Sequence, residues 1–182
     1  MSQIYTIGHS NRTLAEFLEL LGGAGVNLLV DVRSVPKSRH NPHFNADALE
    51  AALRDAGIGY RRMPELGGLR SHRKDQGASA NLFWDNEIFR NYADYAATPP
   101  FKAALDRLRG IASAGICAIM CAEADWRNCH RRIIADYLIA AGEAVTHIMG
   151  AGRQETAQLT DAAVMGEGGV LSYPAAQGRL LL

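Results

Sequence analysis

The 182-residue sequence is poor in covalent staples and has no stretch able to cross a membrane. Three cysteines, an odd number, cannot make a disulfide framework, and a chain of this length buries roughly 70% of its unfolded surface without one. Cys117, Cys121 and Cys129 are therefore expected as thiols in a reducing compartment. No apolar run approaches the ~20 residues that span a bilayer, and the N-terminus has no basic start, apolar stretch and small-residue cleavage site in sequence. A cytoplasmic protein with no membrane contact is the expectation. Net charge is missing as well. Nineteen basic and nineteen acidic residues cancel, which excludes binding to polyanions through bulk charge. Neither G-x-G-x-x-G nor G-x-x-x-x-G-K-S/T occurs, which sets aside the usual dinucleotide and nucleoside-triphosphate enzymes. Internal repeats and low-complexity tracts are also lacking.

What is present is the composition of a globular domain, 48% hydrophobic and 21% charged. The apolar pattern alternates between strand and helix. Residues 3–8 form a β-branched and aromatic run ending at Gly8. Thr13 and Glu16 then have capping-box spacing ahead of Leu14, Phe17, Leu18 and Leu21. Val26–Val32 is nearly all apolar, as suits a strand buried on both faces. A helix over 45–56, a strand over 58–62, helices around 86–97 and 99–114, a strand over 116–121, a helix over 128–142 and a strand over 144–148 follow. Between them, residues 63–85 form a long loop of the kind that carries function. The pattern predicts a three-layer α/β fold with a mostly parallel sheet of about five strands and helices on both faces. Residues 1–150 read as one domain. Residues 151–182 read as a C-terminal extension: a loosely packed tail, an added edge strand around Val170–Tyr173, or a contact through which two copies associate.

In such sheets ligands bind outside the carboxyl ends of the strands. Those ends carry His9 and Ser10; Asp31 and Arg33; Glu65 and Arg70; and Cys121, Glu123, Asp125, Arg127, Cys129, His130 and Arg131. Residues 33–74 hold nine Lys or Arg against four Asp or Glu, whereas 75–182 hold nine against twelve. A neutral chain thus contains a basic segment. Arg33, Arg39 and Arg70 suit a bidentate clamp for phosphate or carboxylate, or, alternatively, ion pairs with Asp31, Glu65 and Glu123 that only tie loops together. Ser10, His130 and Arg131 complete the candidate anion-binding set.

Cys121 closes an apolar strand and Cys129 opens a helix, where amide dipoles and nearby Arg or His favour thiolate. Either is a candidate nucleophile, with His9 or Glu123 handling protons. Cys117, inside the strand, reads as core. Three alternatives stay open for the other two thiols. They can pack as small buried residues, form a redox pair, or bind metal with His130 and His9. The seven-residue gap between them is not the two-to-four gap of structural zinc sites, so no metal is assigned, and neither is any cofactor. Cys121 and Arg127 also have cysteine-x5-arginine spacing, as in rhodanese-like and tyrosine phosphatase-like loops, but Glu123 and Asp125 inside the loop would repel phosphate.

Several motifs in order carry a resemblance: Tyr5-Thr6-Ile7-Gly8-His9-Ser10-Asn11, Asp31 through Arg39, Asn41-Pro42-His43-Phe44-Asn45, Glu65-Leu66-Gly67-Gly68, and Cys121-Ala122-Glu123 followed by Cys129-His130-Arg131. Over residues 4–148 the chain resembles the bacterial family catalogued as domain of unknown function 488. The resemblance implies an α/β fold and places His9, Ser10, Arg33, Arg39, Glu65, Cys121, Glu123, Cys129, His130 and Arg131 on shared motifs; it names no reaction. Trp126 follows Asp125 where the family pattern carries proline, so that turn is expected to be shaped differently. Two functions remain: an enzyme, a thiol-dependent transferase or hydrolase, acting on an anionic, nucleotide-like or nucleic-acid substrate, and a binding module for nucleic acid or small anions with no chemistry.

Overall fold

The computed structural model describes residues 2–72 and 77–175. Arg73 and Lys74 of the basic segment, and residues 176–182 of the segment expected to meet a second copy, lie outside the described residues. Six strands form one sheet: β1 (Gln3–Gly8), β2 (Leu28–Asp31), β3 (Gly59–Arg62), β4 (Cys117–Cys121), β5 (Ala144–Gly150) and β6 (Arg153–Thr156). Their order is β3-β2-β4-β1-β5-β6. The first five run parallel and β6 pairs antiparallel with β5. The sheet is thus the three-layer, mostly parallel one that the alternation predicts, with one more strand than expected. β6 escaped the pattern because its sequence, Arg-Gln-Glu-Thr, is polar and lies largely exposed at the sheet edge.

Five helices cover the sheet: α1 (Leu14–Gly23), α2 (Ala46–Asp55), α3 (Glu87–Ala96), α4 (Pro99–Ala112) and α5 (Arg131–Ala140). Side chains alternate across β4, so Ala118 and Met120 join Phe17, Leu21, Leu49 and Leu53 in a core under α1 and α2. Cys117, Ile119 and Cys121 join Tyr92, Phe101, Leu105, Ile133 and Ile134 in a larger core under α3, α4 and α5. Cys117 is core, as its place in the strand implied, and burial raises its thiol to about 11.

These two faces decide where a cleft opens. β1 and β2 lead into α1 and α2 on one face, whereas β4, which lies between them, leads into α5 on the other. Loops that leave neighbouring strands in opposite directions part above the strand ends. The capping box drawn from Thr13 and Glu16 is present, each side chain bonded to the other's backbone amide, and it fixes where the β1 loop ends.

The extension beyond β5 supplies β6 and then a ribbon of β7 (Val164–Met165) and β8 (Leu171–Ser172) that pairs apart from the main sheet. It is clipped to α5. The Tyr173 hydroxyl donates to Asp136 Oδ2 at 2.9 Å, the Thr160 amide to Asp136 Oδ1 at 2.8 Å, and the Leu171 amide to the Tyr137 hydroxyl at 3.1 Å. No helix among the described residues is long and apolar enough to cross a membrane.

Candidate active site at the cleft around the end of β4

A cavity of about 360 Å³ opens above the ends of β1, β2 and β4. Six of the ten residues singled out from the sequence line it: His9, Arg33, Cys121, Glu123, Cys129 and His130. Lys37, Ser34, Ser38, Gly68, Asn86, Phe89 and Asn128 complete much of the wall. Ser34, Lys37 and Ser38 lie inside the Asp31–Arg39 motif and Gly68 inside Glu65–Gly68, so the motifs already pointed to them. Asn86 and Phe89 sit at the start of α3, far from any strand end in sequence, and carried no signal.

At the floor, Cys121 Sγ, Cys129 Sγ and a ring nitrogen of His130 all lie within 4.8 Å of one another. His130 Nδ1 is 3.8 Å from Cys121 Sγ and 3.7 Å from Cys129 Sγ. The other ring nitrogen, Nε2, faces the carbonyl oxygen of Val32 at 3.2 Å. A carbonyl only accepts, so Nε2 carries a proton and donates to it, and Nδ1 is the nitrogen that faces the thiols. Tyr92 supports the ring edge-on, with centroids 5.0 Å apart, and holds its own place by donating to the Leu66 carbonyl at 2.7 Å. Arg131 donates from Nε to Cys129 Sγ at 3.2 Å.

The two sulfurs are driven apart in acidity. Contact with Cys129 and burial raise the Cys121 thiol, and the Glu123 carboxylate, which accepts from Cys121 Sγ at 3.0 Å, raises it further. Burial also opposes charge on Cys129, but Cys121, His130 and Arg131 outweigh it and hold that thiol well below the ordinary range. Cys129 is the thiolate of the pair, at the opening of α5 where amide dipoles favour an anion.

His9 is wired differently from a free acid-base group. Its Nδ1 donates to the Ser10 carbonyl at 2.8 Å, and its Nε2 receives Arg33 Nη1 at 3.3 Å. Burial first, then Arg33, lowers its pKa to about 4, so it is neutral at pH 7 with its lone pair engaged. Arg33 in turn is gripped by Asp31: Nη2 to Oδ2 at 2.6 Å and Nε to Oδ1 at 2.9 Å. Tyr60 adds a hydrogen bond to Asp31 Oδ2 at 2.6 Å. Arg33 therefore reaches the cavity already neutralised in part, and Lys37 is the exposed cation on its rim.

Four candidates lie outside the lining. Arg131 is buried beneath the loop, bonded to Thr6 Oγ1 at 3.3 Å and to the Glu123 carbonyl. Arg70 lies over the Tyr95 ring, 3.7 Å from its centroid, and donates to the carbonyls of Pro64, Glu65 and Gly67. It ties one loop together and does not meet Arg33. Arg39 is exposed. Ser10 directs its amide to the Ala122 carbonyl at 2.8 Å and adopts φ +49°, a left-handed conformation that an L residue holds only at some energetic cost.

Two glycines allow this packing. A Cβ on Gly8 would sit 1.7 Å from the Glu123 carbonyl oxygen, and one on Gly68 would sit 2.5 Å from His130 Nδ1. The cysteine-x5-arginine reading has no counterpart here: Arg127 turns outward to Asp125 at 3.3 Å and Glu155 at 2.9 Å. Trp126 stacks on His147 with centroids 4.3 Å apart and donates to Glu155 at 3.0 Å, so the turn is pinned to β5 and β6 by an aromatic side chain.

No curated protein and no solved structure matches the chain. A family model does, over residues 13–138, a span that holds the whole β4 loop, the Asp31–Arg39 motif and both sulfurs of the cluster. The chain belongs to that family, described as domain of unknown function DUF488.

Proposed function

We propose that the cavity is the active site of a cysteine-dependent enzyme acting on a small anionic, phosphate-bearing substrate. The observation that carries the reading is the Cys121–Cys129–His130 cluster on the floor of a concave site at the strand ends. Perturbed thiols in a cleft, with an imidazole and a carboxylate in contact, have the makeup of reacting centres. Glu123, exposed and bonded to Cys121 Sγ, is the proton acceptor in this reading. Lys37 and Arg33 are the cations that meet the substrate, and His9 positions Arg33. The cavity's volume lies in the range of small-molecule sites, which favours a nucleotide-sized ligand over a nucleic-acid duplex.

The test combines binding and turnover. The protein is offered nucleoside monophosphates, inorganic phosphate and chromogenic phosphate and carboxylate esters, with Cys121→Ser, Cys129→Ser and Lys37→Gln alongside wild type. Turnover that disappears in both cysteine variants while their circular dichroism is unchanged, with KM raised about tenfold or more by Lys37→Gln, supports the reading. Anion binding that is steeply salt-dependent, undiminished by cysteine replacement and never accompanied by turnover overturns it in favour of a binding module.

A further inference from the structure

We propose that Cys121, Cys129 and His130 form a three-residue site for a single zinc ion whose fourth coordination position faces the cavity. This deepens the reading above and rests on it for the cavity being a reaction site, while metal binding itself stands on the cluster's own geometry.

The first observation is distance. Zinc bonds thiolate sulfur at about 2.3 Å and imidazole nitrogen at about 2.0–2.1 Å, which at tetrahedral angles places sulfur and nitrogen roughly 3.6 Å apart. His130 Nδ1 lies 3.7 Å and 3.8 Å from the two sulfurs, and all three atoms fall within 4.8 Å of one another. Two zinc-bound thiolates stand roughly 3.8 Å apart, so one ion fits between the three atoms with a movement of at most about 1 Å between the sulfurs and about 0.1–0.2 Å at the imidazole.

The second is independent of the first. The Nε2–H of His130 is held by the Val32 carbonyl at 3.2 Å, the outer hydrogen bond that fixes tautomer and ring orientation in metal-ligating histidines. Nδ1 is thereby the nitrogen left to bond an ion, any proton on it leaving to solvent as the metal binds. Arg131 adds a donor to Cys129 Sγ at 3.2 Å, which stabilises the charge of a ligating thiolate. Tyr92 and Gly68 pack on the ring from two sides, so the ligand is braced before any ion arrives.

The two-to-four-residue gap that this seven-residue spacing fails to match belongs to structural zinc sites, where a tight turn presents both sulfurs. Here the first sulfur ends a strand and the second precedes a helix. A 3-10 turn over Trp126–Asn128, anchored by the Trp126 stack, brings the chain back beneath the strand end. Three protein ligands leave one position open, as in catalytic zinc sites, and thiolate with imidazole selects zinc over magnesium or calcium. Both cysteines bind as thiolates, so uptake of the ion releases protons to solvent. An ion held there would supply a Lewis acid toward the cavity, and Glu123, whose carboxylate lies beside Cys121, is the protein group placed to accept a proton from what it binds.

The experiment uses the full chain, stripped with chelator and titrated with Zn²⁺ against a chromophoric competitor, and with Co²⁺ read by absorbance. One equivalent of Zn²⁺ is expected to bind at sub-micromolar Kd, and Co²⁺ to give sulfur-to-cobalt charge-transfer bands together with the intense visible bands of tetrahedral coordination. Cys121→Ser, Cys129→Ser and His130→Ala should each weaken Zn²⁺ binding by about 100-fold or more, whereas Cys117→Ala should not. Bound zinc should also slow alkylation of two thiols in the wild-type protein, a readout that needs no variant to fold. Failure of wild type to bind a stoichiometric ion, or absence of a charge-transfer band, overturns the site. Stoichiometric zinc without turnover of any substrate keeps the metal site and removes the enzyme. Cysteine-dependent turnover in a protein that takes up no stoichiometric zinc keeps the enzyme and removes the metal.

Discussion

Gly68 lies against His130 so closely that a single added carbon would stand 2.5 Å from the nitrogen facing the two sulfurs. Gly68 of the β3 loop therefore has a steric task, to let backbone approach an imidazole ring. Gly68→Ala should push the ring off the cluster. The expected result is a loss of 10- to 100-fold in zinc affinity and turnover, with a stability loss of about 1–3 kcal/mol from overpacking. Isothermal titration with Zn²⁺ and chemical denaturation measure the two effects separately, and unchanged zinc affinity would show that the ring position does not matter.

Asp31 and Arg33 form the buried ion pair among the described residues, at 2.6 Å, both side chains nearly inaccessible. Removing one charge strands the other. Asp31→Asn should cost about 3–5 kcal/mol in the denaturant midpoint, and Tyr60→Phe, which removes one further donor to the same carboxylate, about 1 kcal/mol. A loss below 1 kcal/mol for Asp31→Asn would mean that water reaches Arg33.

The pH dependence of stability has a sign set by two histidines. Burial lowers His9 and His147 to about 4, against 6.5 for a free imidazole. Between pH 6.5 and 4 the unfolded chain takes up these protons and the folded chain does not, so stability falls as the pH drops through this window. Each histidine contributes at most about 1.4 kcal/mol per pH unit. Glu16, Glu143 and Glu155, all held below the ordinary carboxylate value, add to the loss only below about 4.5. Denaturation curves at pH 7, 6, 5 and 4.5 should show the decline, and His147→Gln should flatten it.

Tyr173 and Asp136 hold the C-terminal ribbon to α5. Tyr173→Phe should cost about 1–2 kcal/mol and raise amide hydrogen exchange in residues 164–173 and little elsewhere. Exchange that rises across the whole sheet would show that the ribbon folds as one unit with the rest.

Much of the fold is legible in periodicity, because burial on both faces of a parallel sheet leaves an apolar run that stands out from the flanking polar sequence. Leu28–Asp31 and Cys117–Cys121 illustrate this, and the Thr13 capping box marks a helix start by local chemistry alone. β6 was not legible, since an edge strand is held by the ladder to β5 and needs no apolar side chain. Val164–Met165 and Leu171–Ser172 pair through only two residues each, too few for any period to emerge.

The sequence alone determined where chemistry-bearing groups could gather, because strand ends follow from pattern and six of the ten candidates do line the cavity. It could not determine which cations stay free. Arg33, Arg70 and Arg131 are alike in sequence, yet Asp31, the Tyr95 ring and the buried pair of Thr6 and Cys129 claim them one by one. Nor could it place Cys121 and Cys129 with one imidazole within 4.8 Å, because that meeting depends on the path of a loop pinned by Trp126 to strands that follow it in the chain. Partners of this kind are distant in sequence and are chosen by packing, which only the tertiary structure decides.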